Sequence, residues 1–296
     1  MAGRPYRIPR PLVAVVRLIC AAALLVGCSV ADAAGPTQLR VLQLNLCNSG
    51  MATGCYTGRA VARAAEVIRS EAPDVVTLNE ICSGDVDALE RVLAEVHGST
   101  VVAAFQPARN GRNGAPYRCV NGQQYGVGVL AHIPAPYRGH EVHRGIYPAQ
   151  DPADPEQRAW LCVDATTVFY ACTTHLAYTS ATLALAQCGH LLGTAIPELH
   201  ARTRYQPTVV SGDLNLRHGG SPDVRSCVPA DYLHLHDGGV QQFMATADVT
   251  IRSSRSIGMA GTTDHSGFLV TLTVARTPDV QSHQNAQVGA SMRRSA

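Results

Sequence analysis

One short segment, Val209-Val210-Ser211-Gly212-Asp213-Leu214-Asn215, limits the folds open to this chain more than any other. Its two β-branched residues indicate the end of a buried strand, and Gly212 is expected to let the backbone turn sharply there. The turn presents Asp213 and Asn215 two residues apart, on one side of an extended chain. A carboxylate and an amide at a strand's carboxyl end can hold a divalent cation and a water molecule. Taken alone, the segment also fits an ordinary turn.

Four other predicted strand termini carry residues of matching chemistry. They are Asn45 after residues 39–44, Glu80 after 74–78, His175 after a hairpin of 159–163 with 167–173, and Asp264 with His265 before 268–274. If all these residues meet at one edge, the last strand must run antiparallel to the strands that end in Asn45, Glu80, His175 and Asp213. The residue types then indicate one site: oxygen ligands for a hard cation, and two imidazoles for proton transfer and positive charge.

The rest of the chain predicts helices over residues 59–70, 85–97 and 181–192, and a further strand over 126–130. Residues 106–124 are predicted to form a polar loop, and the Pro-rich segment 134–157 a long surface excursion. Helices alternate with strands at first and hairpins follow, which favours mixed sheets over a purely parallel one. Residues beyond 276 are rich in Gln, Ser, Asn and Arg, which predicts a disordered tail over 277–296.

Residues 1–33 are expected to form a targeting segment. Four arginines precede an apolar run over residues 18–26 that is too short to span a bilayer comfortably. Leu25-Val26-Gly27-Cys28 looks like the lipobox of bacterial lipoproteins, which would leave an acylated Cys28 at the outer face of the cell membrane. Ala31-Asp32-Ala33 is a competing cleavage site that would release the protein outside the cell. Both routes predict export.

Charge and cysteine content follow from that prediction. Removal of residues 1–27 takes away four of the 24 basic residues and leaves 20 against 22 acidic ones, so global charge gives no support to strong nucleic-acid binding. Eight cysteines remain beyond Cys28, an even number that predicts disulfides in an exported chain. The expected pairing is Cys47–Cys55, Cys82–Cys119, Cys162–Cys172 and Cys188–Cys227, one of 105 connectivities that the sequence allows.

The motifs Leu42-Gln43-Leu44-Asn45, Leu78-Asn79-Glu80, Thr174-His175-Leu176, Gly212-Asp213-Leu214-Asn215 and Thr263-Asp264-His265 occur in this order. In these the chain resembles the endonuclease/exonuclease/phosphatase superfamily, which includes pancreatic deoxyribonuclease and the bacterial sphingomyelinases. The resemblance implies an α/β fold for residues 37–276: a four-layer α-β-β-α sandwich of two mixed, largely antiparallel sheets with the site at one edge.

The resemblance also implies a role for each motif residue. Glu80 would be the principal metal ligand, helped by Asn45 and Asp264, with Mg²⁺ as the expected ion and Mn²⁺ or Ca²⁺ as alternatives. Asp213 would orient or deprotonate water, and Asn215 would hold that water and a phosphate oxygen. His175 and His265 would serve acid–base and phosphate-charge roles. Arg158 resembles an arginine that could meet phosphate, with a surface arginine as the alternative.

Two departures from the family pattern concern the site. The family carries an Asp that steadies the last histidine, and the corresponding segment here is read as Val240-Gln241-Gln242-Phe243-Met244 with Gln242 in its place. Aspartate at that position would favour the imidazolium form of His265 more than a neutral amide does. The usual Ser-Arg after the central strand is Ala131-His132.

These observations predict an exported, monomeric, metal-dependent phosphoric ester hydrolase, an endonuclease acting on nucleic acid. The loop that carries Arg112 and Arg118 supports this, because Gly and Asn between arginines offer flexible cations to a phosphate chain; a solvated turn is the alternative. A phospholipid or sphingomyelin phosphodiesterase is the second hypothesis, although no exposed apolar hairpin is evident. A catalytically silent binding lipoprotein of the same fold is the third. No protein partner can be inferred.

Overall fold

The computed structural model describes residues 37–53, 55, 58–99, 101–133, 139–166, 168–203 and 205–274. The predicted targeting segment with its lipobox Cys28, and the predicted tail, lie outside the described residues. Within the described ranges, no helix combines the length and the apolar character that a membrane crossing requires.

Fourteen strands and four α-helices make up the described chain. The strands are β1 Thr37–Asn45, β2 Val75–Cys82, β3 Val101–Pro107, β4 Arg109–Asn110, β5 Tyr125–His132, β6 Glu141–Ile146, β7 Glu156–Gln157, β8 Ala159–Ala165, β9 Phe169–Thr174, β10 Thr208–Asp213, β11 Tyr232–His236, β12 Gln241–Thr246, β13 Val249–Ile257 and β14 Gly267–Val274. The helices are α1 Arg59–Glu71, α2 Ser83–His97, α3 Ala181–His190 and α4 Ile196–Arg202, with a π-helical turn Leu191–Ala195 between the last two.

Two six-stranded sheets dominate the fold. Their strand orders are β13-β14-β1-β2-β5-β3 and β11-β12-β10-β9-β8-β6. Each sheet has one parallel pair at its centre, β1 with β2 and β9 with β10, and its other pairs are antiparallel. Strand β14 runs antiparallel to β1, which confirms the direction that the strand-end argument requires.

Three apolar clusters explain the layers. The central cluster takes side chains from the inner faces of both sheets, such as Val41, Val129, Leu161 and Phe243. A second cluster packs α1 and α2 on the outer face of the first sheet, and a third packs α3 and α4 on the second. The apolar stripe of α1, for example, buries Ala60, Ala64, Val67 and Ile68 completely or nearly so. The result is the predicted four-layer α-β-β-α sandwich of two mixed, largely antiparallel sheets.

Several local expectations differ from the structure. Residues 141–146 of the predicted surface excursion form β6, the edge strand of the second sheet, paired with β8. Strands β11, β12 and β13 were not anticipated at all. Gly212 lies inside β10 rather than at a turn, and a Cβ there would stand 2.2 Å from the carbonyl oxygen of Thr174. Glycine is therefore required by the close approach of the neighbouring strand β9, not by a sharp turn.

Four disulfides join Cys47 to Cys55, Cys82 to Cys119, Cys162 to Cys172 and Cys188 to Cys227. All four expected pairs are confirmed. Cys162 and Cys172 are direct cross-strand partners on β8 and β9, and Cys188 links α3 to the short turn Val224–Cys227. Four disulfides are typical of proteins that fold in an oxidising compartment.

Protein lacking residues 1–33 should therefore expose no reactive thiol when it is denatured without reductant. Two of the bonds close separations of 37 and 39 residues, and each restrains the unfolded chain by about 4 kcal/mol in the chain-entropy model. Reduction should lower the melting temperature by at least about 10 °C. Thiol titration and calorimetry check both statements, and one or more free thiols per unreduced chain would contradict the pairing.

Candidate active site

The side chains predicted from the strand termini meet at one edge of the packed sheets. Asn45 Nδ2 lies 2.9 Å from Glu80 Oε1 and 3.0 Å from Asp213 Oδ2, and it donates to both. Asn45 and Glu80 belong to the first sheet and Asp213 to the second, so these contacts cross the sandwich. The other residues brought to this edge are His175, Asn215, Asp264 and His265.

Asp213 is held in one orientation by several donors. Its Oδ1 accepts from the backbone N–H of Asn215 at 2.9 Å, and its Oδ2 accepts from Asn45 and from Gln241 Nε2 at 3.0 Å. The residue is 1% exposed. Burial raises the pKa of Asp213, against the lowering effect of His265 and of these donors. A fixed carboxylate of raised basicity is suited to orient or deprotonate a water molecule.

Glu80 reaches the cleft through an irregular backbone. Its φ is +52°, a conformation that is rare for residues other than glycine, and the β2–β5 register shifts between Leu78 and Ile81. Burial raises the pKa of Glu80; the donor Asn45 lowers it, and the negative charges of Asp213 and Asp264 raise it further. The carboxylates at this edge therefore repel one another in the absence of a cation.

Arg158 is buried behind His175 and is 2% exposed, so the alternative of a surface arginine is wrong. Its Nη2 donates to Asp154 Oδ2 at 3.1 Å, and its Nη1 lies 3.2 Å from Glu156 Oε1 and 3.0 Å from His175 Nδ1. Burial raises the pKa of Glu156 to about 7 even though Arg158 opposes this. Arg158 thus sits in an ionic group that contacts the site histidine.

The protonation of His175 follows from that contact. Both ring nitrogens of His175 face donors: Nδ1 lies 3.0 Å from Arg158 Nη1, and Nε2 lies 3.2 Å from Asn215 Nδ2 and 3.8 Å from Glu80 Oε1. Burial lowers the pKa of His175 well below its ordinary value, and the charges of Arg158 and His265 lower it further. His175 therefore does not carry the expected positive charge, which Arg158 supplies instead.

The residue beside His265 is Gln241, not Gln242, and the predicted role of Gln242 is wrong. Gln241 Nε2 lies 3.3 Å from His265 Nδ1, whereas Gln242 Nε2 donates to the carbonyl of Leu216 and Gln242 Oε1 lies 2.8 Å from His234 Nε2. Successive residues of β12 face opposite sides of the sheet, so an error of one position moves the side chain out of the site. The amide donates to Nδ1, which leaves Nε2–H of neutral His265 3.4 Å from Asp213 Oδ2.

Gln241→Glu should move the acid limb of the kcat/KM pH profile to higher pH. The donor that lowers the pKa of Asp213 becomes a second carboxylate, and both changes raise that pKa. The same carboxylate stabilises the imidazolium of His265, so this second effect also moves the profile to higher pH. We expect a shift of about one pH unit, measured at saturating metal.

Gln38→Glu is the matched control, because it adds the same charge to an exposed residue of β1. Its profile should coincide with that of the wild type. An unmoved acid limb in an active Gln241→Glu enzyme would mean that Gln241 does not influence the titrating group.

A buried amide network behind the site escaped the sequence analysis. Gln43 Nε2 donates to Asn79 Oδ1 at 2.7 Å and to Gln241 Oε1 at 2.9 Å, and Asn79 Oδ1 also accepts from the backbone N–H of Asp213 at 2.7 Å. Thr77 Oγ1 donates to Gln43 Oε1 at 2.5 Å. These side chains are fully buried. The network therefore fixes the first sheet against the second where the catalytic groups meet.

The site opens into a cleft of about 610 Å³. Its walls include Tyr117, Tyr178 and Arg217, none of which the sequence analysis singled out. Tyr178 is 67% exposed, and its ring lies over the Arg158 guanidinium at 5.4 Å. Aromatic residues shortly after a site motif, such as Tyr178 three positions beyond His175, are the signal that could have identified this wall.

Arg112 and Arg118 lie on the exposed loop outside the described lining of this cleft. Arg118 Nη1 donates to the carbonyl of Gly122 at 2.6 Å, and Arg112 borders a neighbouring depression of about 330 Å³. The loop contributes Tyr117 to the cleft instead.

The donor set at the edge fits a hard divalent cation. Glu80 and Asp264 offer carboxylate oxygens, and the mutual repulsion of the carboxylates is what a cation would relieve. Asn45 touches Glu80 through its amide nitrogen, while its Oδ1 accepts from the backbone N–H of Cys47 at 3.1 Å. As a ligand, Asn45 would therefore have to turn its amide by half a turn.

Solved structures of similar fold include an endonuclease/exonuclease/phosphatase from Beutenbergia cavernae DSM 12333, with a TM-score of 0.59 and 20% identity over 80% of this chain and 72% of that one. ANGEL2, a 2′,3′-cyclic phosphatase, has a TM-score of 0.56 and 13% identity over 81% of this chain and 96% of that one. D. rerio TDP2 complexed with single-strand DNA product has a TM-score of 0.53 and 15% identity over 80% of this chain and 99% of that one. At these identities the likeness establishes the fold.

No protein of curated function matches the chain by sequence. The model of the Endonuclease/Exonuclease/phosphatase family matches residues 42–265, about three quarters of the chain, and this range spans every motif residue from Asn45 to His265. The members of this family generally depend on a divalent metal. The chain therefore belongs to the endonuclease/exonuclease/phosphatase family of phosphoric ester hydrolases.

Proposed function

We propose that this protein is an exported, divalent-metal-dependent phosphodiesterase that acts as an endonuclease on nucleic acid. The observation that carries the proposal is the buried Asp213, fixed by Asn45, Gln241 and the Asn215 backbone in a cleft that also presents Glu80 and two histidines. Water attack on a phosphate diester needs such a base beside groups that neutralise the developing charge.

Each residue has one task in this proposal. Asp213 orients the attacking water and accepts its proton, and Asn215 holds that water and a phosphate oxygen. His175 donates its Nε2–H to a non-bridging oxygen in place of its contact with the Asn215 amide, and the donor Arg158 at Nδ1 favours that tautomer. His265 stabilises the charge on the phosphate and donates a proton to the leaving oxygen as its bond to phosphorus breaks. Arg158 acts through His175 and is a positioning residue rather than a direct phosphate ligand.

A divalent cation, with Mg²⁺ expected, would be held by Glu80 and Asp264 with Asn45, and when bound it would polarise the phosphoryl group as a Lewis acid. Mn²⁺ and Ca²⁺ favour the same oxygen ligands.

Nucleic acid is favoured as the substrate by the walls of the cleft. Tyr117 and the exposed Tyr178 offer rings on which bases can stack, and the exposed Arg217 offers a cation to the phosphate chain. The structural neighbour TDP2 is complexed with a DNA product. Arg112 and Arg118 could contact nucleic acid only outside the cleft, so they support the proposal less than the sequence suggested.

The alternatives are a phospholipid or sphingomyelin phosphodiesterase, another phosphoester hydrolase, and a silent binding lipoprotein. The large apolar side chains exposed on the described surface are Met51, Val120, Tyr178 and Tyr205, which gives lipid binding little support. ANGEL2, a cyclic phosphatase of the same fold, is the reason to test small phosphoesters. The convergence of Glu80, Asp213 and both histidines disfavours a silent protein.

The proposal includes a monomer that is exported and either released or anchored through Cys28. The four disulfides support an oxidising destination. Mass spectrometry of the protein from its membrane and secreted fractions would distinguish an acylated Cys28 from cleavage after Ala33.

A parallel assay tests the activity. Mature protein is incubated with plasmid DNA, RNA, sphingomyelin, a 2′,3′-cyclic nucleotide and inositol phosphates, with Mg²⁺ or with chelator. We expect Mg²⁺-dependent nicking of the plasmid and no hydrolysis in chelator. Hydrolysis of sphingomyelin or small esters without any cleavage of DNA or RNA would replace the nuclease proposal, and no hydrolysis of any substrate would favour the silent protein.

A further inference from the structure

Three metal-ligating side chains converge at the end of the first sheet that lies opposite the cleft. Asp74 immediately precedes β2, His97 ends α2 and His132 ends β5, and one ligand atom from each lies within 4.8 Å of the others. Five residues of β2 lie between Asp74 and Glu80, and the six steps from one to the other span about 20 Å of extended chain. We call these three residues the Asp74–His97–His132 cluster. Ala131 and His132 lie outside the cleft lining, so that departure from the family pattern does not concern the site, and the proposed hydrolysis does not use the cluster.

Backbone contacts hold the cluster in place. The backbone N–H of His132 donates to the carbonyl of Asp74 at 2.8 Å, and Asp74 Oδ2 accepts from the backbone N–H of Arg40 at 2.8 Å. His97 Nε2 lies 2.8 Å from the carbonyl oxygen of Pro73. A carbonyl only accepts, so Nε2 carries the proton and Nδ1 of the neutral ring keeps its lone pair. Orientation of a histidine by such an outer contact is a common feature of metal sites.

One inward atom of the cluster has no hydrogen-bond partner among the described residues. This atom, His132 Nδ1, is buried and lies 3.8 Å from Asp74 Oδ1, beyond hydrogen-bonding distance. The His97 and His132 rings lie with centroids 3.9 Å apart. The nearby Arg40 guanidinium forms an ion pair with Glu71 at 2.9 Å, so the charge of Arg40 is paired with Glu71 rather than with Asp74.

We propose that the Asp74–His97–His132 cluster binds a transition-metal ion, with Zn²⁺ as the expected ion. Two imidazoles and one carboxylate match the ligand preferences of Zn²⁺ and not those of Mg²⁺ or Ca²⁺. Tetrahedral ligand atoms around zinc stand about 3.3 Å apart, so the 3.8 Å separation closes by a few tenths of an ångström. The rings are 14° from parallel, and one must turn about χ2 to direct both lone pairs at the ion.

Bound zinc would join three elements that are separate in sequence. Asp74 belongs to the connection between α1 and β2, His97 to the last turn of α2, and His132 to the end of β5. The ion would therefore fix the helix layer to the sheet. All three side chains are partly exposed, which leaves room for a water molecule as the fourth ligand.

The test is Zn²⁺ binding to the mature protein, measured by calorimetry and by melting temperature with Mg²⁺ in excess to occupy the catalytic edge. The wild type should bind one equivalent of Zn²⁺. The His132→Asn and Asp74→Asn variants should bind it at least about tenfold more weakly. The Zn²⁺-dependent rise in melting temperature should disappear in both variants. His140→Asn, which alters an exposed histidine outside the cluster, should behave like wild type.

Co²⁺ absorption gives a second readout that does not depend on activity, because four-coordinate Co²⁺ with nitrogen ligands should absorb visible light in wild type but not in His132→Asn. Wild type that binds no Zn²⁺ under these conditions would overturn the proposal, as would a His132→Asn protein with unchanged stoichiometry. His97→Gln is a second cluster variant in case His132→Asn does not fold. A His97→Gln protein that has the wild-type melting temperature without metal, but binds Zn²⁺ with full affinity, would equally overturn the proposal. Mg²⁺-dependent hydrolysis should be the same in wild type and His132→Asn, so this result and that of the proposed function are independent.

Discussion

Asp213→Asn should reduce kcat by at least about 10²-fold, the contribution expected of a general base. Asparagine keeps the size of the side chain and an oxygen that can accept from the Asn215 N–H at the observed 2.9 Å. It cannot accept a proton from water at any accessible pH. Steady-state kinetics on the substrate that the wild type cleaves, at saturating Mg²⁺, measure the loss.

The same substitution should make the melting temperature in chelator fall less steeply as pH rises to 7.5. Burial raises the pKa of Asp213, so the folded state binds the proton more tightly than the unfolded state does. The charged side chain therefore destabilises the fold as pH rises above the unfolded pKa, and a neutral amide removes this effect. The variant should therefore gain stability relative to wild type as pH rises, on top of a pH-independent cost, which arises because its Nδ2 faces the donors Asn45 and Gln241.

Asp87→Asn, on the exposed face of α2, is the control and should change neither activity nor stability. Near-normal turnover by Asp213→Asn would show that the base lies elsewhere. Loss of activity with an unchanged pH dependence of the melting temperature would contradict the raised pKa of Asp213.

Glu80→Gln should weaken the apparent affinity for the activating metal by about 10- to 100-fold or more, with activity partly restored as Mg²⁺ is raised. Glutamine keeps an acceptor for Asn45 Nδ2 at the observed 2.9 Å, so the local geometry is retained while the ligand charge is lost. Activity is measured as a function of Mg²⁺ concentration, and binding directly by calorimetry.

Glu95→Gln removes an exposed carboxylate of α2 and serves as the control. An unchanged metal affinity in Glu80→Gln, or a loss of activity that no metal concentration relieves, would argue that Glu80 supports the fold rather than the cation.

The strands that the sequence predicted have a buried side that is apolar, whereas β12 is equally buried but was missed because it begins with Gln241 and Gln242. β1, β2, β9, β10 and β14 are largely buried and read as apolar segments. The strands it missed include β6 and β13, which lie at sheet edges. Residues 250–256 of β13 are exposed or partly exposed and rich in Arg and Ser, because an edge strand exposes its side chains to water and loses the apolar pattern.

The sequence predicted those site residues whose side chains suit catalysis or metal binding and that also follow a predicted strand. Asn45, Glu80, His175 and Asp213 follow apolar segments, so their positions could be inferred. Gln43 and Asn79 lie inside β1 and β2, where nothing in the sequence distinguishes an amide with a hydrogen-bonding role from an amide without one. Their roles depend on the opposite sheet, which only the tertiary structure supplies.

The hydrogen bond between Gln43 and Gln241 constrains how the sequence of this protein can vary. The two positions are 198 residues apart, yet Gln43 Nε2 donates to Gln241 Oε1 and both side chains are fully buried. An apolar residue at 241 would leave that N–H unpaired, and this loss can be offset by a change at 43. Acceptable replacements at these positions should therefore arise in pairs, so the first and last thirds of the chain should show correlated substitutions across descendants of a common ancestor.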